Sequence, residues 1–237
     1  MFNTKYQSVL KFSDVWITSI VLILALPLAY TSAYLLFKSE RGATYGCVYI
    51  MSFLLFFLPI LRVKKYSKAW RNNLGLNKGK WPIGLTLMIG VGVGLGYFAI
   101  KSLVWGLQLS LDSSKINVLR SILALITLQG FASIVLGPFS EEVFIRGFLY
   151  GYMRSRIGVG FGLLVQAVIF AVLHLDLSFS VSSFGLVFEG IVVGFLLGIL
   201  YEVSASLYPS ILCHSTGNYI LFVTELLKAG EMIGVRP

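Results

Sequence analysis

Seven long apolar runs constrain this chain more than any other feature. They occupy residues 15–37, 46–61, 82–100, 122–150, 158–173, 185–201 and 208–226. A helix needs about 20 mostly apolar residues to cross the hydrocarbon core of a bilayer, and these runs are of that order. Lipid cannot satisfy backbone polar groups, so each run must be helical. Only 12% of the residues are charged, against roughly a quarter in an ordinary soluble domain. The predicted fold is all-α, a single integral membrane domain over residues 1–237. It is a multi-spanning helical bundle of about seven crossings, or about eight if the 122–150 run is split.

A formal net charge of +9 invites a nucleic-acid reading, but the placement of the charge excludes it. Arg62, Lys64, Lys65, Lys68, Arg71, Lys78 and Lys80 crowd one connection with no acid among them. By the positive-inside rule this 62–81 segment is a cytoplasmic loop. Arg154 and Arg156 fall on the same side, as do Lys5 and Lys11, so the N-terminus is placed in the cytoplasm. Anionic lipid is the expected neighbour of the basic loop. Lys5 and Lys11 could also open a signal peptide ending at Thr31-Ser32-Ala33. The apolar run continues past that point, which favours an uncleaved first helix. Cys47 and Cys213 lie in apolar runs and read as buried, inert thiols.

Connections and glycines add little chemistry. Residues 110–120, with Asp112, Ser113, Ser114 and Lys115, read as a turn on the opposite side. The stretch GVGVGLG at 90–96 lacks the lysine of a phosphate loop, and Tyr97 stands where a dinucleotide fingerprint needs glycine. It reads as close helix packing, as do Gly190, Gly194 and Gly198 at four-residue spacing. Pro138 should interrupt its helix. Ser140 is then a natural N-cap, with Glu141 and Glu142 in the first turn. The expectation is a helix that breaks near 137 and restarts at 140.

Charged groups inside the bilayer are expensive, by roughly 2.5–3.5 kcal/mol even on the lenient insertion scale. Glu142 and Arg146 are four apart, share a helix face and can pair. Glu141 is turned about 100° away by the helical period and is left free to act. His174 and His214, the only histidines, both sit late in apolar runs, and Asn218 lies one turn after His214. A carboxylate, two histidines and an amide in a partly dry site suit peptide hydrolysis. The carboxylate takes a proton from water, a histidine holds the water or protonates the leaving amine, and further donors stabilise the oxyanion. The same Glu141, His174 and His214 could instead hold zinc, two His and one Glu being a catalytic ligand set.

The order Glu141-Glu142-x-x-x-Arg146, Phe170-x-x-x-His174, His214-x-x-x-Asn218 resembles the three-motif pattern of the CPBP intramembrane proteases. That family includes type II CAAX prenyl endopeptidases and bacterial bacteriocin-processing or self-immunity (Abi) proteins. The resemblance implies a catalytic core over residues 118–226, in which Glu141 and His174 activate water. It further implies that His214 and Asn218 stabilise the oxyanion and that Glu142 and Arg146 support the site. The motif-three interior, Ser215-Thr216-Gly217, departs from the His-Ala start common in the family, which bears on fine specificity. The cofactor is left open between zinc and a metal-free mechanism, with the metal-free version preferred.

Around this set, Phe170 is expected to shape the site. Glu189 is expected to pair with Arg146 or Arg154 or to line the cavity, and Asp176 and Glu202 to be solvated at span ends. The expected partners are a short or membrane-anchored peptide substrate and the lipid bilayer, with no nucleic acid. The expected location is a bacterial cell membrane, since chain size and the lack of added domains look bacterial. The competing readings are a non-catalytic membrane immunity or binding protein and a small proton-coupled transporter. Intact motifs weigh against the first, and the lack of an inverted repeat against the second.

Overall fold

A computed structural model describes residues 10–37, 41–105, 128–174 and 181–232, and all secondary structure among them is helical. Helix α1 spans Phe12–Phe37, α2 Arg41–Tyr66, the short α3 Trp70–Asn73 and α4 Ile83–Trp105. Helix α5 covers 128–150 and is assembled from Leu128–Phe131, Ala132–Leu136, Gly137–Glu142 and Val143–Tyr150. It continues into α6, Gly151–Leu173, and α7 (Val181–Ser204) and α8 (Tyr208–Met232) follow. The predicted turn at 110–120 and Asp176 lie outside the described residues.

Three stretches among the described residues are long and apolar enough to cross a membrane: Ile83–Leu103, Ala132–Leu173 and Gly185–Ser204. The second is 42 residues long, about 63 Å of helix, which is twice the thickness of a hydrocarbon core. It folds back on itself at Gly158, where φ 80° and ψ 174° define a backbone state open essentially to glycine alone. Beyond the turn, Gly162 packs on the backbone of Arg154, 3.3 Å from where a Cβ would stand. One stretch therefore supplies two antiparallel limbs. The 122–150 run, by contrast, is not split within the described residues. The bundle is that of an integral membrane protein.

Close packing is set by small residues, as the spacing predicts. A Cβ at Gly190 or Gly194 would come within 2.9 Å of the Ala171 or Ala167 backbone of α6. Gly90 and Gly94 let α4 lie against Pro209, Leu212 and Cys213 of α8, whereas Gly92 and Gly96 face open space. Cys213 is buried and unpaired by any disulfide.

The basic 62–81 segment is laid across one end of the bundle. Leu74 is fully buried. Gly75 accepts from Leu207 N–H, Lys80 N–H donates to Ser204, and Ser206 Oγ donates to Asn77. Its cationic side chains Lys64, Lys65, Lys68, Arg71, Lys78 and Lys80 stay exposed. At the same end Asp14 pairs with Arg62 at 3.2 Å and accepts from Tyr66 at 2.7 Å, fixing the start of α1 to the end of α2.

Two expectations about acids are corrected. Glu202 is not solvated. It is buried, accepts from the Tyr150 hydroxyl and pairs with Arg154, because α7 ends against α5 rather than at a free surface. Glu189 pairs with neither Arg146 nor Arg154. Its partners are Lys101 and the Tyr97 hydroxyl at 2.9 Å, both on α4. Sequence distance hid that neighbour.

Candidate active site

The local geometry of α5 also departs from the expectation at Pro138. The helix does not break, and Ser140 is not an N-cap. Its hydroxyl donates back to the Leu136 carbonyl at 2.6 Å. The chain instead widens into a π-helical turn over Ala132–Leu136, where Gly137 N–H bonds to the Ala132 carbonyl. Widening gives the proline ring room where an α turn would press it against the carbonyl four residues back. A second π segment spans Val143–Tyr150. Such insertions are frequent at functional sites, and between these two lie Glu141 and Glu142.

Glu142 and Arg146 form the pair that their spacing predicts. Nη1 to Oε1 is 2.8 Å, and both side chains are fully buried. Arg146 also donates from Nη2 to the Gly194 carbonyl at 3.2 Å and lies 4.4 Å above the Phe170 ring. Sequence reasoning missed Gln166, whose fully buried amide donates to the same Gly194 carbonyl at 2.8 Å. Its signal was visible, since it is a lone amide inside an apolar run. Phe170 packs against both histidine rings, with centroids at 4.3 Å from His174 and 5.5 Å from His214.

The structure brings Glu141, His174 and His214 together. One ligating atom of each lies within 4.8 Å of the other two. His174 Nε2 is 3.4 Å and His214 Nε2 is 3.8 Å from Glu141 Oε2. The opposite ring nitrogens are already engaged. His174 Nδ1 lies 2.8 Å from the Phe170 carbonyl, an atom that can only accept, so Nδ1 carries the proton. His214 Nδ1 lies 3.0 Å from Glu142 Oε1, an oxygen already shared with Arg146 and hence a carboxylate, so here too Nδ1 donates. In the neutral imidazoles both Nε2 atoms therefore present lone pairs to Glu141 Oε2. That oxygen is itself buried and without a hydrogen-bond partner among the described residues.

Asn218, placed in the same set by sequence, sits one turn along α8 and donates from Nδ2 to the Ser133 carbonyl at 2.9 Å. Exposure grades across the trio. The His214 side chain is 6% exposed, Glu141 26% and His174 43%, so the site opens on the His174 side.

Residues 123–220 match the family model of the type II CAAX prenyl endopeptidase Rce1-like proteins. The match begins before α5 and ends just past Asn218, so it takes in all three motifs and leaves α1 to α4 outside. No curated protein matches the chain, and no solved structure does either.

Proposed function

We propose, from the similarity of residues 123–220 to Rce1-like CAAX prenyl endopeptidases, that this chain is an intramembrane endopeptidase. What carries the reading is the convergence of three basic atoms on one point inside an apolar bundle. A water held there can give its protons to two of the three and keep a lone pair for a peptide carbonyl. Glu141 is the general base, because its Oε2 is unengaged among the described residues whereas Glu142 is held by Arg146 and His214. As the water oxygen bonds to the carbonyl carbon, the carbonyl electrons move onto oxygen. The C–N bond then breaks as the amine takes the proton that Glu141 received from the water. His214 enters the step with a second proton drawn from solvent, balanced by Glu142, and donates from Nε2 to the oxyanion, a contribution of about 100- to 1000-fold per donor. The substrate class is a short or membrane-associated peptide that reaches the site from the exposed His174 side.

A second reading is supported by the ring-nitrogen geometry. Histidines that bind a metal almost always donate their other N–H to a carboxylate or a backbone carbonyl, as both do here. Glu141, His174 and His214 thus fit a divalent ion, and a two-His, one-Glu set suits zinc. Zinc, when bound, would polarise a water as a Lewis acid. The two readings part on chelation. In the metal-free reading, purified protein carries no stoichiometric metal and hydrolyses peptides after exhaustive chelation. Zinc at one ion per chain, lost in His174→Ala, with activity restored by zinc added back to chelated enzyme, would establish the cation reading in its place.

For orientation, we propose that the end carrying the 62–81 segment faces the cytoplasm. Asn72 is exposed on that segment. A cysteine placed there, with Cys47 and Cys213 replaced, should resist an impermeant thiol reagent in intact cells and react after lysis. Reaction in intact cells would invert the topology.

A further inference from the structure

We infer that Asn218 is a positioning residue that replaces the backbone N–H missing at Pro138 and thereby holds the turn beneath Glu141. The inference rests on the peptidase reading. In the π register of α5, Gly137 N–H bonds to the Ala132 carbonyl, five residues back. The next bond in that register would run from residue 138 to the Ser133 carbonyl. Residue 138 is proline and has no N–H to give. The Ser133 carbonyl is left without its helical donor, and the Asn218 amide reaches across from α8 to it at 2.9 Å. Neighbouring helices commonly re-satisfy backbone groups freed by a proline within a membrane. Here the rescued turn lies directly under the site.

The register of the two helices shows why this matters for Glu141. Helices α5 and α8 run antiparallel. Asn218 meets Ser133, His214 meets Glu142, and Leu207 lies against Gly147. Asn218 and His214 are one turn apart on α8, so the pair clamps α5 on both sides of Glu141. At Gly137, between the clamp points, a Cβ would lie 3.0 Å from the Ala132 carbonyl oxygen and 3.8 Å from Glu141 Oε1. The widened turn and the carboxylate are thus in direct succession on one face. Releasing the Ser133 carbonyl lets the turn relax toward another register and re-aims Glu141. A displacement of about 1 Å is enough to lower a rate by roughly 100-fold.

This role is separable from that of an oxyanion donor by a double-mutant cycle, with kcat and KM measured per folded molecule and thermal stability in parallel. Asn218→Ala should lower kcat by about 10- to 100-fold with KM little changed, and should lower the melting temperature. Pro138→Ala returns an N–H to position 138 and gives the Ser133 carbonyl a helical donor. On that background Asn218→Ala should cost less than about threefold, because non-additivity marks a shared function.

An equal fold-loss in both backgrounds would make Asn218 a direct donor to the oxyanion and overturn the inference. Unchanged kcat per folded molecule with a lower melting temperature would make it merely structural, and would also overturn it. If Pro138→Ala does not accumulate, Asn218→Ala alone decides, since a pure oxyanion donor loses rate with no loss of melting temperature. If the native protein hydrolyses nothing, the peptidase reading fails, while non-additive melting temperatures would still report the substitution of Asn218 for the missing N–H.

Discussion

Arg146→Ala protein should lose about 3–5 kcal/mol of stability, the range for removing one partner of a buried ion pair, and should accumulate poorly. The substitution leaves Glu142, itself fully buried, without the guanidinium 2.8 Å away. It also removes a donor from the Gly194 carbonyl and a cation from the face of Phe170. Glu142 is the anchor of His214, so the damage reaches the site itself. Much of the penalty is the uncompensated carboxylate, and neutralising it tests that attribution. Arg146→Met combined with Glu142→Gln should recover most of the lost thermal stability, because a glutamine oxygen can still accept from His214 Nδ1. Normal melting of Arg146→Ala would mean that the charge at Glu142 is satisfied by His214 alone.

The apolar runs made the helices legible, and the four-residue spacing made the Glu142–Arg146 pair legible, because both follow from periods of a single helix. What sequence could not supply was register between helices. The bond from His214 to Glu142, the Lys101–Glu189 pair and the burial of Glu202 between Tyr150 and Arg154 all depend on which turns of separate helices come opposite one another. Pro138 and Ser140 mislead for a different reason. Proline and a capping residue in succession are a sound local signal for a helix start. In a membrane, however, the free backbone groups of a broken helix have no water to turn to. The chain keeps its helix by widening one turn and borrowing a donor from α8, and Ser140 turns inward to its own backbone. Gly158 shows the converse. Arg154 and Arg156 part the 122–150 run from the one that begins at 158, and the long stretch turns back at that break.

Glu141→Gln should be the most informative substitution, because its expected effects on stability and on chemistry have opposite signs. The carboxylate oxygen facing the two histidines is buried without a hydrogen-bond partner among the described residues. An amide of the same shape removes that charge and can donate to an Nε2 lone pair. The melting temperature should therefore hold or rise, a stability–activity trade-off expected of a catalytic group. Glutamine cannot accept the proton of water, so hydrolysis should fall by about 100- to 10,000-fold, the contribution of a positioned general base. A binding protein built on the same fold would lose little by this change, since neither shape nor packing alters.

The direct measurement is a comparison of the peptides in membranes carrying native protein with those in membranes carrying the Glu141→Gln form at equal abundance. The proposed activity predicts a set of cleaved peptides present with the native protein and absent with the variant, together with an uncut precursor that accumulates. Identical peptide profiles, with the variant folded and equally abundant, would contradict the assignment of Glu141 as the base of an intramembrane peptidase.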